Sequence, residues 1–453
     1  MVRKKKFTLS STQIILLSFL VTILVGSGLL ALPISSANGE AVPYLDALFT
    51  ATTSTCVTGL VTLPTVSTWS VFGQIVILLL IQIGGLGIIT IISGLMFLLN
   101  KKMGIGNRLL IQDAFNLNTM SGLAKFVKNV LFATLIVEGI GAILYMLVFI
   151  PEFGAAGIWI SLFNSVSAFC NAGIDIIAEN SLCNYATNPL INIVTSALII
   201  LGGLGYIVWW DVIRVLHNRS PKNRKLFRHL TLHSKIAITF TAGLILIGTI
   251  LIFIFEYANP LTIGDMSLFD KLQTSFFQSV TTRTAGFATL PQENLTNATA
   301  TVSIILMLIG GSPVGTAGGI KTVTLAVLIC STLATIRNKN DATLFGRRIS
   351  ESSVKKAVAV AVTFLTICIA STVLLMATSD ISALDALYET VSATATVGLS
   401  RNVTATLNSF GKLIIIVTMY LGRVGPISLA VALGGKNENP NVISEPTENI
   451  SIG

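Results

Sequence analysis

From residue 7 to residue 100 the chain contains no lysine or arginine, and from 129 to 213 it contains none either. At least four stretches of 20 residues carry no charge at all. Charged residues make up 11% of the whole, against roughly 25% in an ordinary soluble domain. Such a chain is not a single soluble domain, a disordered polymer or a disulfide scaffold. A polytopic all-α membrane protein remains. The five cysteines (Cys56, Cys170, Cys183, Cys330, Cys368) form no CxxC pair and do not cluster with histidine. They read as small apolar packing residues, with no metal site and no disulfide frame.

The basic residues say which side is which. Of 29 lysines and arginines, 22 fall in four segments, 3–6, 101–128, 214–235 and 337–356. In a soluble protein a net charge of +9 would point to nucleic acid. In an apolar chain the same clusters mark cytoplasmic ends, because basic loops are retained inside. No nucleic-acid partner is expected. An even number of crossings then separates consecutive clusters, and both termini are expected in the cytoplasm of a cell-membrane protein. The apolar run 14–32 after the first cluster is longer than a signal-peptide core of about 7–15 residues, so it reads as a retained first span.

Four segments resemble one another: 47–60 (ALFTATTSTCVTGL), 161–174 (SLFNSVSAFCNAGI), 274–287 (TSFFQSVTTRTAGF) and 386–399 (ALYETVSATATVGL). Their shared glycines, Gly59, Gly173, Gly286 and Gly398, are 114, 113 and 112 residues apart, the signature of an internal repeat. An aromatic precedes each glycine (Phe49, Phe163, Phe277, Tyr388), one residue nearer in the third repeat. Each segment lies between two apolar runs. Those upstream are 14–32, 130–150, 236–255 and 357–376; those downstream are 71–99, 191–215, 301–333 and 413–433. The eight runs are long enough to cross ~30 Å of hydrocarbon as helices. The segments between them are too short to span and too polar to face lipid, so they are expected to dip in and return. The chain divides into repeat 1 (1–108), repeat 2 (109–222), repeat 3 (223–340), repeat 4 (341–433) and a polar tail (434–453). The expected fold has eight transmembrane helices and four re-entrant pore segments around a pseudo-fourfold axis.

Non-helical backbone at membrane depth survives where it lines protein or water. Each half-helix points a partly negative C-terminus inward, which favours a cation. Carbonyls of the turn replace water around an ion, and a glycine permits the positive φ that turns them to the axis. The candidate ion-binding residues are Val57, Thr58, Gly59 and Leu60; Asn171, Ala172, Gly173 and Ile174; Thr284, Ala285, Gly286 and Phe287; and Thr396, Val397, Gly398 and Leu399. No carboxylate stands among them, so backbone dipoles make the site, which argues for a monovalent cation. The competing reading, a glycine that only caps a short helix, weakens when four recur in register.

On CVTGL, AFCNAGI, VTTRTAGF and ATVGLS, the chain resembles the Trk/Ktr/HKT superfamily of potassium transporters, and within it the membrane subunits of bacterial Ktr systems. The likeness covers about residues 8–433. It implies a potassium selectivity filter, with potassium as transported ligand and no cofactor in this chain. In that family a serine in place of the first glycine goes with sodium permeation; here all four are glycine. The likeness also implies a homodimer in the bilayer and a cytosolic ring of RCK-type regulatory subunits binding ATP or ADP, sometimes cyclic di-AMP. The basic segments 214–235 and 337–356 are candidate docking surfaces for it.

A second glycine motif recurs downstream: 84–87 (GGLG), 202–205 (GGLG), 310–313 (GGSP) and 422–425 (GRVG), at 25, 29, 24 and 24 residues from the first set. Small residues there let helices approach or kink. In the third repeat it expands into 310–322 (GGSPVGTAGGIKT), whose five glycines and one proline break a helix. This stretch resembles the family's intramembrane gating loop; a merely kinked helix is the competitor. Its gating residues would be Gly310, Gly311, Gly315, Gly318, Gly319 and Lys321, the last as an anchor. In the fourth repeat Arg423 replaces the second glycine. An arginine at that depth is expected to face a cavity or partner, here the pore, where it repels a resting cation until loop motion shifts its counter-charges. Snorkelling to an interface is its alternative. Arg283 either braces the filter by bonding turn carbonyls or lies at a surface. Glu138 and Glu256 are interhelical partners or accessory cation ligands. The competing function is a sodium- or proton-coupled symporter of another class. An enzyme is not expected, since His217, His229 and His233 share one loop and no catalytic set converges.

Overall fold

The computed structural model describes residues 11–88, 90, 91, 93, 123–217, 226–339 and 341–425. The basic cluster 3–6, the end of the run 71–99, the end of the run 413–433 and the tail 434–453 lie outside the described residues. One order of elements recurs four times. The first unit is α1 (Ser11–Leu30), α2 (Tyr44–Cys56) and α3 (Val71–Leu86). The second is α4 (Leu123–Phe153), α5 (Ala156–Cys170), α6 (Pro189–Leu204) and α7 (Tyr206–His217). The third is α8 (Leu232–Glu256), α9 (Leu268–Thr281), α10 (Asn297–Leu308) and α11 (Thr322–Ile336). The fourth is α12 (Glu351–Thr378), α13 (Ala383–Ala395) and α14 (Ser409–Val424). A two-residue antiparallel pair, Thr343–Leu344 with Arg347–Arg348, sits in the basic segment before α12.

α1, α4, α8 and α12 are long and apolar enough to cross a membrane. Most of their surface is exposed, including Leu147 and Phe132 of α4. In water such faces would be costly at ~25 cal/mol per Å²; in lipid they cost nothing. The short helices behave in the opposite way. From Phe49 to Cys56, Phe163 to Cys170, Phe277 to Thr281 and Tyr388 to Ala395 every residue is buried. They hold many hydroxyls, which the helix itself satisfies: Thr52 donates to the Leu48 carbonyl, Ser161 to Gly157 and Thr394 to Thr390. The repeat aromatics Phe49, Phe163, Phe277 and Tyr388 are all fully buried and wedge the short helices into the interior.

Each downstream helix starts on a side-chain cap. Ser70, Asn188, Thr296 and Asn408 accept hydrogen bonds from backbone amides one helical turn on, at Gly73, Ile191, Thr299 and Gly411. These helices do not run on as the single spans expected from composition. α3, α6 and α14 stop at the fourth residue of the second motif, where Gly87, Gly205 and Gly425 take φ of +84°, +84° and +89°. After Gly205 the chain turns by 94° into α7. The physical reason is the positive φ, which an α-helix cannot contain. Three of the four units also seat the first glycine of the motif directly on a short helix. A Cβ on Gly84, Gly202 or Gly422 would collide with the carbonyl of Thr55, Phe169 or Thr394.

In the third unit the break becomes a loop, residues 309–321, so the kinked-helix alternative is set aside. Its neck is closed by backbone bonds from Gly310 N to the Ile320 carbonyl (3.0 Å), Ile320 N to Leu308 (3.0 Å) and Thr322 N to Gly311 (3.0 Å). The Ser312 and Thr322 hydroxyls bond across it at 2.9 Å.

Candidate functional site: four turns and the loop beside them

α2, α5 and α13 end the same way. The cap residues Val57, Asn171 and Thr396 are left-handed (φ 55°, 60° and 52°), and the next amide returns to the carbonyl of Thr53, Ser167 or Ser392 at 2.8 Å. This Schellman-type closure stops the helix and leaves the following residues extended. Two residues later each glycine has positive φ: Gly59 +101°, Gly173 +64° and Gly398 +100°. The third turn reaches the same result by another route. α9 stops earlier, at Thr281, and Thr284 (φ 69°) and Gly286 (φ +82°) supply the left-handed positions.

The four glycines close a ring. A Cβ on Gly59 would strike the Ala172 carbonyl; on Gly173, that of Ala285; on Gly286, that of Val397; and on Gly398, that of Thr58. The order runs 1 to 2 to 3 to 4 and back to 1, so the four turns surround a single axis. Of the sixteen predicted residues all are buried except Gly398, which is half-buried. Side-chain hydroxyls hold the ring from behind. Gly59 N donates to Thr53 Oγ1 (3.0 Å), Gly398 N to Ser392 Oγ (3.0 Å) and Ile174 N to Ser167 Oγ (3.2 Å), while Thr281 Oγ1 donates to the Phe287 carbonyl (2.7 Å). Reading the sequence for glycines missed these hydroxyls. They stand six residues before the glycine in three repeats and five in the third, the same one-residue deletion the aromatics show.

On the side of the residues that follow the glycines lies a vestibule of about 580 Å³ with all four glycines in its wall. Its lining includes the carboxylates Asp175, Glu179 and Glu293 and, among the described residues, no lysine or arginine. Burial pushes the Asp175 carboxyl up to about 6, against the opposing pull of the Ser181 hydroxyl (2.6 Å) and the amides of Ile177 and Ala178. These carboxylates are a second feature that sequence reading missed.

On the side of the residues that precede the glycines lies the loop. Thr316 is fixed three ways: its amide donates to the Gly202 carbonyl (3.1 Å), its hydroxyl faces the Phe169 carbonyl and Asn171 Oδ1 (3.1 Å each), and its carbonyl accepts from Arg423 (2.7 Å). The predicted loop glycines pack where a side chain would not fit. A Cβ on Gly311 or Gly315 would lie 2.7 or 2.8 Å from the carbonyl of Gly203 or Gly202. Gly318 presses on Ala395 and Thr396, Gly310 on Gly318, and Gly319 (φ +65°) on the Gly310 amide. Lys321 Nζ donates to the Ala317 carbonyl of the same loop at 2.5 Å.

Arg423 sits beside the loop, but its partners differ from expectation. It bonds the carbonyls of Thr316 (2.7 Å) and Gly84 (2.6 Å), and no carboxylate among the described residues pairs with it. Carbonyl dipoles, and not counter-charges, hold it. Arg283 bonds no turn carbonyl and lies at no surface; it is buried and reaches the Gly310 carbonyl at 2.9 Å. Glu138 is an interhelical partner, accepting from Gln82 of α3 at 3.2 Å. Glu256 accepts from Asn259, Thr262 and both the amide and hydroxyl of Thr296 (2.6–2.9 Å), which fastens a loop and leaves no oxygen for an ion.

The profile of the TrkH cation transport protein family matches residues 4–443. The chain belongs to this family. It is therefore a multi-pass membrane transporter of cations and not an enzyme, and the alternative of a symporter from another class falls. The potassium/sodium uptake protein NtpJ of Enterococcus hirae is 40% identical over 100% of this chain and 98% of its own. Ktr system potassium uptake protein B of Bacillus subtilis is 39% identical over 95% of this chain and 94% of its own. The crystal structure of the potassium transporter TrkH from Vibrio parahaemolyticus shares the fold, with a TM-score of 0.75 at 17% identity, over 95% of this chain and 86% of that one.

Proposed function

We propose that the chain takes up potassium along the axis of the four glycine turns. The observation that carries this reading is the closed ring of turns at the wall of an acidic vestibule. Vestibule carboxylates raise the local cation concentration. The C-termini of the short helices add a negative partial charge of about half an electron each, and carbonyls next to the glycines take the place of water. The filter residues are those predicted, Val57 to Leu60 and their equivalents in the other three repeats. Four glycines favour potassium over sodium.

The loop 310–322 closes the path on the cytoplasmic side. Arg423, Lys321 and the loop glycines set its resting position, and opening breaks the Arg423 bond to Thr316. In this reading the eight apolar runs and four re-entrant segments are arranged with both termini in the cytoplasm of a cell-membrane protein. The name of the Ktr system relative supports a multicomponent system: we assign to this chain a homodimer and a cytosolic nucleotide-binding ring docked on the basic segments 214–235 and 337–356.

Rubidium uptake in a bacterium lacking its own potassium uptake systems, with sodium as competitor, tests the function. Rescue of growth at low potassium, with rubidium uptake resistant to excess sodium, is expected. No rescue with the regulatory partner co-expressed, at normal membrane abundance, overturns it.

A further inference from the structure

The residue three places before each ring glycine is Cys56, Cys170, Arg283 or Ala395. Three are small and one is the longest cation available. Cys170 shows what the small residue does. A Cβ on Gly85 of α3 would lie 2.6 Å from its Sγ, so the end of α5 rests directly on the last turn of α3. At the third turn the counterpart of Gly85 is Gly203 of α6, and the Arg283 side chain lies beside it. From there the guanidinium of Arg283 reaches on to the Gly310 carbonyl (2.9 Å).

That carbonyl is no ordinary acceptor. It stands just past the C-terminus of α10, where the helix dipole is negative and a cation is favoured. It also belongs to the neck of the loop, since the Gly310 amide is bonded to Ile320. Around the guanidinium are Ile199, Ile200, Gly203, Thr241, Ile245 and Val280, with no carboxylate paired to it among the described residues. Its Nε is buried and has no partner. A buried charge so poorly compensated costs several kcal/mol relative to an apolar residue. Stability alone is therefore a poor account of it.

We propose that Arg283 is a positioning residue for ion selectivity: a strut that holds the third turn at the ring by tying it to the neck of the loop. The inference rests on the transport reading above and adds a determinant outside the predicted filter residues. The neck is fixed by its own ladder, so the strut holds the ring whether the loop's outer part, around Thr316, is in place or displaced.

The test is rubidium uptake against increasing sodium in the potassium-uptake-deficient bacterium, for the wild type, Arg283→Met and Arg283→Lys. Loss of the one charge-assisted hydrogen bond from Arg283 to the loop neck corresponds to about a tenfold to hundredfold change. Arg283→Met should let sodium inhibit at a concentration lower by that factor. Arg283→Lys, which keeps the charge but not the forked reach, should fall between. Unchanged sodium competition in Arg283→Met at normal membrane abundance overturns the strut. So does faster uptake with unchanged competition, which would assign Arg283 to the gate. If Arg283→Met fails to insert, Arg283→Lys decides, and wild-type competition there overturns the proposal. Absence of rubidium uptake by the wild type overturns the transport reading itself, and the strut with it.

Discussion

The two faces of the glycine ring are built on opposite principles. The ring is nearly symmetric: four turns place a glycine at positive φ against the carbonyl of the next, and four hydroxyls brace them. The layer beside it is not. Three units end their downstream helix on a glycine of φ +84° to +89°, and the third unit instead inserts a thirteen-residue loop that packs on the others. A dehydrated ion needs ligands on all sides, so every repeat must contribute. A path is closed by one obstruction, so one repeat suffices. The same repeated segment is thus alike in one layer and unlike in the other.

The largest expected effect breaks the ring itself. Gly286→Ala places a methyl against the Val397 carbonyl at a φ that already costs an L-residue about 1–2 kcal/mol. Rubidium uptake should fall to background. Gly39→Ala, at φ +72° with nothing within 4 Å, carries the strain without the collision and should retain uptake. Equal loss in both would mean that backbone strain, and not the ring, explains the result.

The asymmetric layer is tested by Arg423→Ala and Thr316→Val. A hydrogen bond to a charged group contributes about 1.5–3 kcal/mol. Loss of those to Thr316 and Gly84 should raise uptake without the regulatory partner by about tenfold or more, measured as initial rubidium flux. Thr316→Val, which removes only a neutral hydroxyl, should raise it less. A fall in both would make the loop a support for the ring and erase the contrast.

Smaller effects sharpen the symmetry. Thr53→Val and Ser392→Ala each remove one neutral bond to a ring amide, worth about 0.5–1.5 kcal/mol. Both should shift sodium competition by a few-fold and by similar factors. Widely different factors would show that the four turns are not functionally equal. The smallest effect is on pH. Because burial raises the Asp175 carboxyl to about 6, it is ionised above that pH and neutral below. Lowering external pH from 7.5 to 5 should weaken apparent rubidium affinity about twofold, the size of one partly screened charge some 10 Å away. Asp175→Asn should be weak throughout and should lose that limb of the pH profile.

Much of this was legible in the chain. Period and composition gave four units, and the glycine spacing gave the turns, because a positive φ at a carbonyl contact admits nothing larger. Arg423 and Lys321 stood out because charges are rare in apolar runs. Other features depended on distant contacts. Arg283 has its partner 27 residues away, at the neck of the loop, a pairing that no spacing in the chain announces. Thr316 is one hydroxyl among many, and its role comes from four groups on two other units. Asp175, Glu179 and Glu293 are ordinary loop acids until the fold gathers them. The breaks at Gly87, Gly205 and Gly425 were foreshadowed as kinks, yet hydropathy alone continued the helices through them.

The most direct measurement is an experimental structure of the transporter soaked in rubidium or thallium, with anomalous scattering to locate the ion. The account predicts density on the axis between Gly59, Gly173, Gly286 and Gly398, ligated by carbonyls of the four turns and lost in Gly286→Ala. Density confined to a carboxylate such as Glu138, with the ring unoccupied at saturating ion, would contradict it.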